Sequence, residues 1–177
     1  MELNPVRVNL GSISDAPLAN IFLALLWKLG VRYGVSVGSC HWDAGEVFQD
    51  HIQDFSEEIL VGIGGMSFAA AGFMSALDRN SRRTGRIVLA VPLDKAAQSA
   101  IEDLPPGTPV LTCGLNQSDV KASITNAALA VANIVARNDH EVRRKLQQWY
   151  AEMRAKKQAI PELPLDEKGL IVIPEKK

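Results

Sequence analysis

His41 stands in a polar run, Gly38-Ser39-Cys40-His41-Trp42-Asp43, that directly follows an apolar stretch. An imidazole gives and takes a proton near neutral pH, which suits general acid and base chemistry. It also serves as a turn residue that hydrogen-bonds backbone, and spacing alone leaves both readings open. Two other runs have similar character. Gly11-Ser12-Ile13-Ser14-Asp15 joins the apolar segment Val6–Leu10 to a long helical stretch, and Gly62-Ile63-Gly64-Gly65-Met66-Ser67 closes a third apolar segment. At a helix N-terminus the first N–H groups lack intrahelical partners and the dipole adds positive charge, so the first run is a natural seat for a phosphate or carboxylate. Asp15 is expected to cap that helix, with Pro17 in its first turn. Gly64-Gly65 implies close backbone approach to a ligand or to the first helix.

Cys40 beside His41 suggests a nucleophile and base. In extended chain, adjacent side chains point to opposite sides, so the pair is not expected in hydrogen-bond geometry. His51 falls in an amphipathic stretch and His140 opens a charged helix, so both are read as surface or packing residues. Cys40 and Cys113 fit neither a disulfide framework nor a zinc site, because no closely spaced Cys/His group accompanies them. No metal is expected.

The elements that must position these loops follow from periodicity. Val6–Leu10, Val31–Val37, Ile59–Ile63, Arg86–Val91 and Pro109–Cys113 read as strands. RIVLAV and ILVGI are apolar at nearly every position, as strands covered on both faces require. Segments near 16–29, 43–57, 66–80, 94–103 and 117–137 read as helices. This alternation predicts a doubly wound parallel sheet in a three-layer α/β/α domain with right-handed crossovers. Ligands then lie outside the carboxyl ends of the strands, where the three polar loops converge.

The chain has 177 residues, 47% of them hydrophobic, and a formal charge of −1. That is enough apolar material for one domain with a substantial core. The charge argues against a generic polyanion binder. Basic residues gather from Arg79 to Arg86 and from Arg137 to Lys157, but acids interleave the second stretch as on a solvated helix face. Nucleic acid is not an expected partner. The N-terminus MELNPVRVNL lacks the pattern of a secretory signal, and the densest apolar run, Ile21–Trp27, is too short to span a bilayer. The expectation is a soluble protein of a reducing cytoplasm, with no membrane partner.

The helices APLANIFLALLWKL and SITNAALAVANIVA are apolar around much of their circumference, where a helix covering a monomer's sheet would show a polar stripe. Subunit contacts, and hence a homo-oligomer, are the expectation. After Asn138 a charged amphipathic helix carries Val142, Leu146, Trp149, Tyr150 and Met153 near one face and is expected to dock by it. The tail from Ile160 is read as a flexible end or a strap.

Taken together, Gly-Ser-x-Ser-Asp after the first strand, Ser-x-His after the second, Gly-x-Gly-Gly after the third, Val91-Pro92-Leu93, and Leu104-Pro105-Pro106-Gly107-Thr108-Pro109-Val110 resemble the PurE family. That family comprises 5-(carboxyamino)imidazole ribonucleotide mutase and its carboxylase relatives in purine biosynthesis. The resemblance spans roughly residues 5 to 155. It implies a flavodoxin-like domain, residues 1–159 with the C-terminal helix and 160–177 as a tail, assembled as a homo-octamer with sites at subunit boundaries. It also implies carboxyl transfer on an aminoimidazole ribonucleotide without any cofactor. His41 would be the catalytic acid and base. Gly11, Ser12, Ser14 and Asp15 would contact phosphate and ribose, and Ser39 and Trp42 would line the site. Gly64, Gly65, Met66 and Ser67 would offer backbone to the base and carboxylate. Lys95 resembles a family lysine with an offset of one residue.

The departures are specific. The family's Ser-Ala-His-Arg-Thr-Pro is Ser39-Cys40-His41-Trp42-Asp43-Ala44 here, so a phosphate-binding arginine has become an indole. A lost charged phosphate contact costs about 1.5–3 kcal/mol, roughly tenfold to a hundredfold in affinity. The family's second loop histidine and its proline are replaced within Met66-Ser67-Phe68-Ala69-Ala70-Ala71-Gly72. Trp42 and Phe68 would make the site more apolar and offer a stacking surface. Arg82, Arg83 and Arg86 lie in the loop entering the fourth strand, at the edge opposite the pocket. The expectation is a PurE-like carboxylase or mutase acting on an aminoimidazole ribonucleotide or a related heteroaromatic small molecule. The alternative is a non-catalytic paralogue serving as a structural or small-molecule-binding oligomer. An unrelated flavodoxin-like nucleotide or flavin binder would explain the first loop but not Ser-x-His or Pro-Pro-Gly.

Overall fold

The computed structural model describes residues 5–43, 45, 58–80 and 85–156. The helix expected over 43–57, His51 within it, Arg82, Arg83 and the tail from residue 160 lie outside the described residues. Two compact units divide the chain, residues 1–146 and 147–177.

In the first unit the strands are β1 (Val6–Leu10), β2 (Tyr33–Val37), β3 (Ile59–Gly64), β4 (Ile87–Pro92) and β5 (Leu111–Thr112). They form one sheet in the order β2-β1-β3-β4-β5, with every pairing parallel. The helices are α1 (Ala16–Lys28), α2 (Ala70–Asn80), α3 (Lys95–Glu102), α4 (Val120–Val135) and α5 (His140–Lys156). α2 and α3 bury Ala71, Met74, Ala97 and Ile101 against Leu60, Val88 and Ala90 of the sheet. α1 and α4 pack on each other over the opposite face, with Phe22, Leu26 and Ile124 wholly buried. Each such side chain contributes about 1.5–3 kcal/mol by leaving water. The result is the three-layer α/β/α sandwich expected from the strand pattern.

Several boundaries moved for identifiable reasons. The second strand starts at Tyr33 instead of Val31, because Val31 is spent on ending α1. Gly30 has φ 77°, its N–H donates to the Trp27 carbonyl, and the Val31 N–H donates to the Leu26 carbonyl. That is a Schellman cap, with the buried Val31 as its apolar contact. The fifth strand keeps only Leu111 and Thr112, since Pro109 has no N–H and its carbonyl accepts the Ser75 hydroxyl of α2 at 3.0 Å. α2 begins at Ala70, four residues later than its apolar pattern suggests, because Ser67 adopts φ 61° and cannot continue a right-handed turn. Arg86 turns out of β4 to pair its Nε with Asp78 Oδ1 of α2, beyond the amino ends of the strands.

The second unit's described residues, 147–156, complete α5. Trp149 and Tyr150 meet edge to face at 5.2 Å, and Gln148 donates to Glu152 at 3.1 Å. Val142 and Leu146 are buried, whereas Tyr150 and Met153 are exposed.

Candidate functional site

The three polar loops leave adjacent strands at the same sheet edge, tied together by backbone. The Gly38 N–H donates to the Leu10 carbonyl and the Gly11 N–H to the Ile63 carbonyl, each at 3.0 Å. Between them lies a cavity of about 210 Å³.

Gly11, Ser12, Ser14 and Asp15 line it from the first loop. Ser12 is the N-cap of a single 3-10 turn, Ile13–Asp15. Its hydroxyl accepts the Ser14 N–H at 3.2 Å and the Ser14 hydroxyl at 2.9 Å. Asp15 does not cap α1 with its side chain as its position suggested. Oδ2 reaches back to accept the Ser12 N–H at 3.0 Å, which closes a capping box on the short turn. Burial pushes the Asp15 carboxyl above its ordinary value. The Ser12 N–H pulls it down, and the charge of Asp94 raises it again.

Ser39, Cys40 and His41 line the cavity from the second loop, and Trp42 does not, being 88% exposed. The loop is a tight turn: Trp42 and Asp43 N–H groups donate to the Ser39 carbonyl at 3.1 and 2.7 Å, and the His41 N–H donates to the Ser39 hydroxyl at 3.2 Å. Asp43 Oδ2 accepts the Ser39 N–H at 3.1 Å. The turn reverses the expectation for Cys40 and His41. Extended chain would separate them, but curled backbone brings Cys40 Sγ to 3.7 Å from His41 Nδ1. Burial still pushes the Cys40 thiol above its ordinary value, so the contact does not make a ready thiolate.

Gly64, Gly65, Met66 and Ser67 line the cavity from the third loop, followed by Phe68, Ala69 and Ala70. Two side chains of this chain crowd the glycines, and neither belongs to the first helix. A Cβ on Gly64 would lie 2.7 Å from Phe68 Cδ2, and one on Gly65 2.7 Å from Asp94 Oδ2. Phe68 is 4% exposed and belongs to the core with Met74 and Leu60, so packing rather than stacking on a ligand occupies its ring.

Asp94 escaped notice in the sequence. Its Oδ1 caps α3 through the Ala97 N–H and its Oδ2 accepts the Met66 N–H, both at 2.8 Å. A strand followed by Pro-Leu-Asp and a helix signals the cap, but the bridge across 28 residues of chain has no local signature. Lys95, beside it, is exposed and is not a lining residue. Among the described residues no group of His, Cys, Asp and Glu is placed to hold a metal ion, and no helix is long and apolar enough to cross a membrane.

The AIR carboxylase family profile matches residues 5–156. The N5-carboxyaminoimidazole ribonucleotide mutase of Methanocaldococcus jannaschii is 28% identical over 157 residues, covering 85% of this chain and 91% of that protein. Its Escherichia coli K12 counterpart is 29% identical over 156 residues, covering 82% and 86%. Among solved structures, Treponema denticola PurE superposes with a TM-score of 0.69 at 22% identity, covering 85% of this chain and 92% of that one. At that identity the likeness shows a shared fold.

Proposed function

Because this chain belongs to the AIR carboxylase family, we propose that it moves a carboxyl group on an aminoimidazole ribonucleotide or a related heteroaromatic substrate, with His41 as general acid and base. The observation that carries this reading is the position of His41, the one imidazole lining the cavity where the β1, β2 and β3 loops meet among the described residues. Relatives over more than four-fifths of the chain bear the mutase name.

In the proposed reaction the bond from the exocyclic nitrogen to the carboxyl carbon breaks and leaves its electron pair on nitrogen. The imidazolium donates a proton there. The released carbon dioxide then forms a bond to the ring carbon, and the neutral imidazole removes the proton that carbon carried. The proton count closes on His41, so no external acid or base is consumed. Gly64 and Gly65 allow the third loop's backbone to lie close over the ring, while the Ser12, Ser14, Ser39 and Ser67 hydroxyls supply hydrogen bonds. Trp42 would join the site by closing over the cavity from its exposed position.

The reading includes a cytoplasmic homo-octamer with sites at subunit boundaries. Exposed apolar side chains at Trp27, Ile13 and Met66, the last two in the loops of the cavity, support buried contacts between copies. The domain assignment goes with it, residues 1–159 acting as one PurE-like unit. A non-catalytic, small-molecule-binding scaffold is the second reading, favoured by the indole at Trp42 that stands away from the cavity.

The test is turnover and thermal shift with aminoimidazole ribonucleotide and its carboxylated forms, on wild type and His41→Asn. We expect the substitution to lower turnover by about a hundredfold or more while leaving the thermal shift. Unchanged turnover would remove His41 from the mechanism. Neither turnover nor a shift with wild type would favour the scaffold.

A further inference from the structure

We propose that Cys40 is a positioning residue for the acid and base: its sulfur accepts the Nδ1–H of His41, which leaves Nε2 as the atom that exchanges protons with the substrate. The inference rests on the carboxyl-transfer reading and deepens it. It starts from the 3.7 Å contact between Cys40 Sγ and His41 Nδ1. Among the described residues no other side chain is in hydrogen-bond contact with that ring. The carboxylates around the cavity bond to backbone instead, Asp15 to the Ser12 N–H, Asp43 to the Ser39 N–H and Asp94 to the Met66 N–H.

Two sets of contacts hold the sulfur and the ring together. Ser39 ties the turn: its carbonyl accepts the Trp42 and Asp43 N–H groups and its hydroxyl accepts the His41 N–H, so residues 40 and 41 cannot relax to extended chain without losing these bonds. Cys40 is half-buried and packs against the core cluster that holds Leu60, Phe68 and Ala70. The sulfur is thereby fixed to the core, and the exposed imidazole takes its bearing from the sulfur. Burial pushes the thiol up, against a smaller downward pull from the Ala69 N–H, so the sulfur stays uncharged at neutral pH.

To take a proton from the ring carbon of the substrate, the imidazole nitrogen facing it must be bare, and the one hydrogen of the neutral ring must sit on the other nitrogen. Once protonated, the facing nitrogen donates while the other keeps its hydrogen. An acceptor that holds the Nδ1 hydrogen through both states selects the working tautomer, the task a buried carboxylate performs in hydrolase triads. Sulfur is a weak acceptor, and as a neutral thiol it orients the ring without adding a charge to the cavity. The family pattern carries alanine where Cys40 stands, and a methyl group has no atom for this contact.

The experiment reads the ring and the reaction separately. The full chain, isotopically labelled at histidine Nδ1, is studied by solid-state NMR at a pH where the ring is neutral, and the His41 signal is assigned by its loss in His41→Asn. In wild type we expect Nδ1 to carry the hydrogen. In Cys40→Ala the hydrogen should move to Nε2, whereas in Cys40→Ser, whose hydroxyl is also an acceptor, it should stay. With carboxylated aminoimidazole ribonucleotide, Cys40→Ala should lower kcat by about tenfold or more with KM little changed, and Cys40→Ser should recover most of the loss. A cysteine that only filled space would leave the tautomer alone. A wild-type ring protonated on Nε2 overturns the proposal whether or not Cys40→Ala folds, and so does a tautomer that Cys40→Ala leaves in place. Full kcat in Cys40→Ala after its tautomer has moved overturns it as well. Each of these results leaves the carboxyl-transfer reading standing. If wild type turns over none of the aminoimidazole compounds, the carboxyl-transfer reading fails and the catalytic role of Cys40 fails with it, whatever the ring shows.

Discussion

Asp78 of α2 and Arg86 at the entrance to β4 form an ion pair in which each side chain is only 9% exposed. Nη1 and Nη2 of Arg86 are buried without further partners among the described residues. The pair therefore anchors α2 to the sheet but leaves no spare satisfaction for the guanidinium. Removing Asp78 would strand a buried cation, so Asp78→Ala should lower stability by about 3–5 kcal/mol. Urea denaturation measures it, and a loss under 1 kcal/mol, on the order of an exposed pair, would contradict the burial.

Gly64 makes room for an aromatic ring of the core: a Cβ there would lie 2.7 Å from Phe68 Cδ2. Gly64→Ala places a methyl against the Phe68 ring, which is buried in the core. A cost of about 1–3 kcal/mol is expected from overpacking. An unchanged denaturation midpoint would mean that the ring shifts freely.

Asp94 joins two elements through one carboxylate, and its two functions can be separated. Asp94→Asn keeps an acceptor for the Ala97 N–H and should leave α3 capped, since Asn caps about as well as Asp. Asp94→Ala loses the cap and the Met66 tether, for a cost of about 1–2 kcal/mol. Equal midpoints for the two variants would show that the cap contributes nothing.

The Asp15 carboxyl sits above its ordinary value, so the folded protein favours its protonated form. Its contribution to stability is complete below the ordinary carboxyl value and is lost as pH rises through the folded one. Asp15→Asn mimics the protonated group. At neutral pH that variant should melt higher than wild type, and the gap should close on acidification through the carboxyl range. Melting curves across pH decide this, and a gap that widens in acid would reverse the assigned sign.

Burial also pushes the Cys40 thiol up, despite the neighbouring imidazole. In a Cys113→Ser background, iodoacetamide should label Cys40 more slowly at neutral pH than it labels a free thiol, and the rate should climb above the ordinary thiol range. Labelling faster than a free thiol would indicate a thiolate held by His41.

Much of this architecture was legible because its cause is local. Strands buried on both faces announce themselves as unbroken apolar runs, and polar loops after them fall at one sheet edge by topology alone. What escaped the sequence depends on backbone that leaves the extended or helical norm, or on partners far apart in the chain. Val31 looks like a strand residue but closes a helix. Ser67 carries a positive φ that a serine does not advertise, which delays α2. Cys40 and His41 meet because their loop curls. Phe68 reads as a ligand-facing aromatic, yet the glycines of β3 open a place for its ring in the core. Asp94 finds Met66 across the sheet edge, and no spacing rule connects them.

Phe68 belongs to two regions at once: its residue lines the cavity, while its ring is wedged among Gly62, Gly64 and Met74. Heat that loosens the core therefore loosens the cavity wall in the same event. On that side the cavity wall and the core are one packed unit.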